Sequence, residues 1–390
     1  MTTGRNLRLL AAALAAAAVL AGCGGGGGTE PPRTNISKVV VAGDSLADVG
    51  TFGYRFTVQN SADLATGFPV FPMVIAQNFG IASQCNYFVA TGASTFTTNA
   101  TAGCTNFAIG GGRIQNTAAG GGATGQKSIP LQLSTAVAAA GGAWTSTDLI
   151  LVDGGGNDAG DLISAYLGAA TGAAGANAYA QFLMTLVDAP TVQTLLGQGA
   201  TGAAQAAGLY MQKLADKYYD AIKANALDKG ATHVAIVNMP DITVTPSFAA
   251  VKTQVAAASG GGTAGATAAG NLEAAVRQWL VAFNTQLSTR VGADGRVAIV
   301  DSFSDVRDQA ANPSDYGLTN VAQAACVTAL NVTTEAAACT SAKLDAAPPP
   351  GLAAGWWQTW AFADGLHPTP FGHRLLASSV SRALARAGWL

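Results

Sequence analysis

The sequence predicts a three-layer α/β/α sandwich around a central, mostly parallel sheet, and three observations predict it. Four short runs, at 38–42, 148–152, 233–238 and 296–300, are rich in Val, Ile and Leu and bounded by Gly, Asp or Pro, the pattern of strands buried on both faces. Helical stripes lie between them: Leu214, Tyr218, Ala221 and Ile222 share one face ahead of the stop signal Gly230, and Leu272, Val276, Trp279, Leu280, Phe283 and Leu287 form a longer face of the same period. The 390 residues are 49% hydrophobic, which supplies a sizeable core. Strands alternating with helices give parallel strands joined by crossovers and covered on both sides.

The chain begins with a separate message. Arg5 and Arg8 precede an unbroken apolar stretch at 9–21, a charged region followed by a hydrophobic one that is short for a membrane span. It ends in Leu20, Ala21, Gly22 and Cys23, which resembles a bacterial lipobox. That resemblance implies a signal peptide over 1–22, cleavage before Cys23 and a lipid on its thiol; Gly24 in the next position, where Asp would retain the protein at the inner membrane, implies the outer membrane. Small residues before the cut also fit plain secretion. Residues 23–35 carry five glycines, then Pro31 and Pro32, and read as a tether that is flexible first and stiffer later. With no further boundary and no internal repeat, 36–390 is expected to be a single domain.

Cys85, Cys104, Cys326 and Cys339 remain, an even number in an oxidising compartment. Pairing nearest neighbours gives Cys85 with Cys104 and Cys326 with Cys339, each closing a loop worth roughly 3 kcal/mol in the chain-entropy model. Four cysteines permit two other pairings. Charged residues make up 11% and the net charge is -2, so no basic patch exists to attract a phosphate backbone and nucleic acid is excluded as a partner. The Gly/Ala/Thr-rich segments at 118–124, 168–180 and 259–270 show no periodicity and are expected to be surface loops.

The chemistry sits where strands should end. Gly43, Asp44, Ser45 and Leu46 follow the first run, and Gly155, Gly156, Asn157 and Asp158 follow the second. Ligands of parallel sheets bind beyond the carboxyl ends of the strands. Near the C-terminus stand Asp364, Gly365, Leu366, His367 and Pro368. A serine attacks an ester when a base takes its proton, a third group orients that base, and donors await the oxyanion. Ser45 is the candidate nucleophile. Of the three histidines, only His367 has an acid three residues away; His233 opens a strand and His373 the last helix. The Asn157 amide, the Ser45 main-chain amide and a glycine N–H from the turn Asn106, Phe107, Ala108, Ile109, Gly110, Gly111 are candidate oxyanion donors. The set needs no cofactor and no metal. Each turn alone is ordinary loop material; their combination points to acyl transfer.

The ordered set resembles the GDSL-type members of the SGNH hydrolases. Its blocks match at 43–46, 106–110, 155–158 and 364–368, with weaker matches at Asn238, Met239 and Pro240, at Asn284 and Leu287, and at Asn312, Pro313, Tyr316, Gly317 and Asn320. The resemblance covers roughly residue 37 to the end. It implies a flavodoxin-like α/β/α fold, Ser45 as nucleophile, His367 as base oriented by Asp364, and an oxyanion hole from the Ser45 and Gly110 main-chain amides and the Asn157 side chain. The first block departs from the pattern with Asp48, Val49, Gly50 and Thr51 where many relatives have Asp, Thr, Gly, Asn. No barrel follows the last block, so the lipid would be the anchor.

Other readings fit less well. Gly-Asp and Asn-Asp turns also occur in metallophosphoesterases, whose two-metal sites need more than three histidines. An α/β-hydrolase elbow needs a second glycine where Ala47 stands. A surface-binding lipoprotein without activity would have no use for the full set of catalytic groups. Low charge tilts the substrate towards lipid or short acyl esters. Phe68, Phe71 and Phe88 are candidates for an acyl wall, although aromatic residues so spaced are usually core. Trp356, Trp357 and Trp360, just upstream of Asp364, keep a carbohydrate-ester deacetylase open, and the family resemblance includes acyltransferases. The oligomeric state is not written in the sequence.

Overall fold

The computed structural model describes residues 34–63, 67–82, 84–333 and 336–390. The leader over 1–22, the lipid-acceptor candidate Cys23 and the tether as far as residue 33 lie outside the described residues. Residues 35–390 form one unit.

Its strands are β1 (Lys38–Ala42), β2 (Phe88–Ala90), β3 (Phe96–Thr98), β4 (Asp148–Val152), β5 (His233–Val237), β6 (Val297–Val300), β7 (Asn320–Ala324) and β8 (Trp360–Phe362). All four predicted apolar runs are strands, and they pair in the order β1-β4-β5-β6 with every pair parallel. Residues 105–109 extend this sheet beyond β1: the Val41 N–H donates to Thr105 O at 3.0 Å, and the Phe107 N–H to Val41 O at 2.7 Å. Counted with that segment, the chain lays down its strands in the order 2-1-3-4-5. The order reverses between β1 and β4, and a crevice opens at their carboxyl ends.

The helices are α1 (Phe71–Asn78), α2 (Ile129–Ala139), α3 (Gly156–Gly168), α4 (Ala173–Leu183), α5 (Ala189–Leu196), α6 (Gly199–Asn225), α7 (Pro246–Ala258), α8 (Gly262–Val291), α9 (Ser302–Ala311), α10 (Ala325–Leu330), α11 (Ser341–Ala346) and α12 (Pro370–Arg386). Side chains alternate along a strand, so the sheet feeds two cores. Val40, Ala42, Ile150, Val152, Val234 and Ile236 meet α2, α3, α6 and α8 through Leu133, Leu162, Tyr218, Ile222, Val276 and Phe283. Val39, Val41, Leu149, Leu151, Ala235 and Val237 meet α1 and α12 through Phe71, Ile75, Val380 and Leu384. Each Val, Leu, Ile or Phe among them, fully removed from water, contributes about 1.5–3 kcal/mol. The two predicted helical stripes lie on α6 and α8. Among the described residues no helix is long and apolar enough to cross a membrane.

Two segments expected to be loops are largely helical. Most of 168–180 is the end of α3, a 3₁₀ turn and the start of α4, and 262–270 is the first third of α8. Alanine has the best helix propensity of any residue, so Ala-rich sequence winds without an amphipathic stripe to announce it. Two of the glycines there, Gly175 and Gly265, serve close approach. A side chain on Gly265 would begin 2.3 Å from Ala256 O on the antiparallel partner α7.

The nearest-neighbour pairing of cysteines is the one observed, Cys85 with Cys104 and Cys326 with Cys339. The second disulfide belongs to a small third core with Val58, Leu344, Trp356, Trp357 and Trp360. The tryptophans that kept a carbohydrate-ester deacetylase open are therefore core and not an exposed sugar-binding platform. All three are under 10% exposed, with the Trp356 indole on Leu344 O and that of Trp357 on Asp345. Phe71 and Phe88 are core as well, and Phe68 packs on Trp357, so none of the three forms an acyl wall.

Candidate active site

Ser45 follows β1 by three residues, in a turn that its neighbours hold tightly. The Ala47 and Asp48 N–H groups donate to Asp44 O, the Leu46 N–H to Asp44 Oδ1 at 3.0 Å, and the Asn106 side chain to Ala47 O at 2.9 Å. Gly43 has to be glycine, since a side chain there would begin 1.5 Å from Asp153 Oδ1. Asp48 accepts from the Gly50 and Thr51 N–H groups with one oxygen, and the Thr51 hydroxyl donates to Ala108 O. The departures noted in the first block therefore leave its turn intact and tie it to the second.

Asp364 and His367 sit in the loop between β8 and α12. This loop is pinched shut by the Ala363 N–H donating to His367 O at 2.8 Å and by a bridge between Phe362 and Pro368. Gly365 carries the Ser247 N–H on its carbonyl, and a side chain on it would strike Ser247 Oγ at 2.1 Å. His367 Nδ1 lies 2.7 Å from Asp364 Oδ2, and Nε2 lies 2.8 Å from Ser45 Oγ. A carboxylate only accepts, so Nδ1 carries the proton and Nε2 is left to accept from the serine hydroxyl. Burial pushes the Asp364 carboxyl up, but the bond and charge of His367 and the His367 and Leu366 N–H groups outweigh it and hold the carboxyl below its ordinary value. An ionised acid, an oriented imidazole and a hydroxyl thus form one chain of hydrogen bonds.

Asn157 lies in the first turn of α3, entered through Gly155 at φ 101. Its amide donates to Gly112 O at 3.0 Å and more loosely to Asp44 Oδ2 at 3.4 Å. Gly110, expected to offer its N–H to an oxyanion, donates it instead to Asp48 Oδ2 at 2.8 Å. A buried carboxylate holds such a donor firmly, so Gly110 is corrected to a structural position. The neighbouring N–H, that of Gly111 at φ 78, has no intramolecular acceptor among the described residues, and neither has that of Ser45. The turn carrying Gly111 lies against the Ser45 turn, with the Ile109 N–H on Gly43 O at 3.2 Å.

Beneath this cluster is a carboxyl that the motif reading left without a role. Both oxygens of Asp153 are buried and meet no N–H or hydroxyl donor. They face the Asp44 carboxylate, whose charge together with burial drives Asp153 well above its ordinary range, while burial also raises Asp44. Two buried carboxyls facing each other oppose each other's ionisation. Asp158 accepts from the Ile114 and Gln115 N–H groups at 3.0 and 2.7 Å, fixing the loop after the second block, and burial lifts it to about 6. The weaker motif matches also meet: Asn284 on α8 exchanges two hydrogen bonds with the backbone of Met239.

An aromatic wall flanks the site, built from residues that no motif marked. Phe56 lies 5.0 Å from the His367 ring, Phe52 lies 6.1 Å from Phe56, and Tyr54 and Phe96 complete the group. All four are partly exposed. The Phe56 ring fills the space a side chain on Gly110 would need, 2.2 Å away. Half-buried aromatics without a period give no signal in one sequence.

Fold and site together define a class, an α/β/α hydrolase with an Asp-His-Ser chain at the switch point of its sheet. The model of the family GDSL-like Lipase/Acylhydrolase matches residues 39–380, and the chain belongs to that family. Membership makes it an ester hydrolase in the broad sense. No curated protein matches the chain.

Proposed function

We propose that the protein is a serine carboxylic-ester hydrolase that works through an acyl-enzyme intermediate on lipid or short to medium acyl esters. The observation that carries this is the chain Asp364, His367, Ser45, joined by hydrogen bonds of 2.7 and 2.8 Å. Ser45 Oγ attacks the ester carbonyl carbon while its proton passes to His367 Nε2. The resulting imidazolium is held by the Asp364 carboxylate. Negative charge developing on the carbonyl oxygen is met by the Ser45 and Gly111 N–H groups and the Asn157 amide. Collapse of the tetrahedral intermediate breaks the bond to the alcohol, which leaves with the proton from His367. Water then attacks the acyl-enzyme, gives its proton to the same nitrogen, and Ser45 leaves with it as the acid departs.

With 4-nitrophenyl butyrate as substrate, Ser45→Ala is expected to lower kcat/KM by at least about 10⁴-fold, with the circular-dichroism spectrum unchanged. Turnover near the wild-type rate would remove Ser45 from the mechanism. The leader and Cys23 support a second part of the proposal, an exported protein held at the outer membrane by a lipid on Cys23. Two disulfides suit that compartment.

A further inference from the structure

From the catalytic imidazole a strip of side chains runs outward along one wall of the site. It steps from the His367 ring to Phe56 over 5.0 Å, from Phe56 to Phe52 over 6.1 Å, and from the Phe52 ring to the Lys127 Nζ over 6.0 Å. Lys127 precedes α2, and its Nζ stands 3.6 Å from where a side chain on Gly111 would begin. The ammonium therefore lies beside the turn that offers a free N–H to the reacting oxygen.

Lys127 is half-buried and has no acidic partner among the described residues. No hydrogen bond or ion pair reaches its Nζ, and the charged neighbour that acts on it is a second cation, Arg113. The Arg113 guanidinium is already committed to Asp161 by bonds of 2.6 and 3.1 Å and to Gly111 O by one of 2.7 Å. The acids nearby do not neutralise Lys127: Asp48 is bound to three backbone N–H groups, Asp44 to Leu46 and Asn157, and Asp158 to Ile114 and Gln115. Most lysines and arginines among the described residues are paired with an acid. Arg277, Arg290, Arg296 and Arg382 each bind an aspartate, and Lys223 and Lys252 bind Asp228 and Glu273. Taking an ammonium partly out of water without a counter-charge costs free energy. A bound anion would recover that cost.

We propose that this strip is a substrate subsite, and that it selects esters whose apolar, ring-sized or short-chain body carries an anionic group, the body lying over Phe56 and Phe52 and the anion meeting Lys127. The proposal rests on the serine-hydrolase reading and narrows its substrate class. Aromatic faces accept a flat or flexible apolar body without hydrogen-bond demands, and the unpaired ammonium supplies the one directional preference. The anion belongs to either the acyl or the alcohol portion, and the chemistry that recognises it is the same.

Two ester pairs, each matched in shape and differing in charge, test this on the folded, leaderless protein. The acyl-side pair is mono-4-nitrophenyl suberate and methyl 4-nitrophenyl suberate; the alcohol-side pair is 4-carboxyphenyl butyrate and its methyl ester, 4-(methoxycarbonyl)phenyl butyrate. The quantity read is the ratio of kcat/KM for the anionic member to that for the neutral one, which cancels changes in expression or fraction folded. In one of the pairs, Lys127→Met should lower the ratio about fivefold and Lys127→Glu should lower it further. Added salt should lower the wild-type ratio and leave that of Lys127→Met nearly flat. Phe52→Ala should raise KM for both members of that pair. A ratio that Lys127→Met leaves unchanged in both pairs, with Ser45-dependent turnover intact, overturns the subsite alone. Absence of any Ser45-dependent turnover overturns the hydrolase reading and the subsite with it.

Discussion

A serine hydroxyl beside a neutral imidazole is an ordinary hydrogen bond; the carboxylate behind the imidazole makes it a proton relay. Asp364 fixes which nitrogen bears hydrogen, and it stays ionised because donors converge on it from His367 and the adjoining backbone. For the proposed oxyanion hole, Asn157 offers a side-chain amide held 3.0 Å from Gly112 O. Asn157→Ala is expected to lower kcat by about 10²–10³-fold with little change in KM, measured as initial rates on a 4-nitrophenyl ester; a fall confined to KM would make it a ground-state contact. At this scale the sequence was legible for Ser45, Asn157, Asp364 and His367, because residue types this specific recur at strand ends. It was not legible for Gly110 and Gly111, since two adjacent glycines are identical on paper and differ only in which N–H Asp48 captures. Nor was it for Asp153, whose meaning comes from the Asp44 carboxyl across the sheet.

Elements set where these residues stand. The β8–α12 loop is held on one side by Ser247 at the start of α7 and on the other by Thr57, whose hydroxyl donates to Pro368 O at 2.9 Å. Inside the first turns of α12, His373 is fully buried and stays neutral, burial lowering it to about 3. The unfolded chain takes up that proton near its ordinary 6.5 while the folded one does not, so this share of stability is present above about pH 6.5 and declines as pH falls towards about 3. Chemical-denaturation midpoints at pH 6.5 and 5 should show wild type losing roughly 2 kcal/mol more than His373→Gln over that interval. Equal losses would show that His373 titrates normally in the fold. Comparing the two proteins removes the opposite slope from Asp158, whose raised value makes its own share decline as pH rises from about 4 to about 6. Strands were readable because buried parallel strands are apolar throughout. The Ala-rich starts of α4 and α8 were not, because propensity without amphipathic period looks like low complexity.

For the molecule, the order 2-1-3-4-5 makes a site from residues more than 300 apart in the chain. The reversal between β1 and β4 opens the crevice, β1 leads to Ser45, β4 leads to Asn157, and the chain returns through β8 to bring His367 to Ser45. The fold class followed from alternating strand and helix patterns, and the family from the order of four short blocks. The third core around Cys326–Cys339 was readable only as a pair of cysteines, since its tryptophans lie in a region without regular period. Export and anchoring are proposed from the first 23 residues alone. In a bacterial host that processes lipoproteins, Cys23→Ser is expected to move the protein from the membrane to the soluble envelope fraction, read by fractionation and immunoblot; a wild type found only in the soluble fraction would contradict the anchor.

The central claim is that the Ser45 oxygen becomes a nucleophile because Asp364 and His367 make it one. Peptide-mapping mass spectrometry after treatment with a fluorophosphonate ester tests it directly. The expected result is one phosphonyl group per chain, on the peptide containing Ser45, formed in step with loss of esterase activity and formed far more slowly in His367→Ala. Complete inactivation with the label on another residue, or full activity in a protein labelled on Ser45, would contradict it.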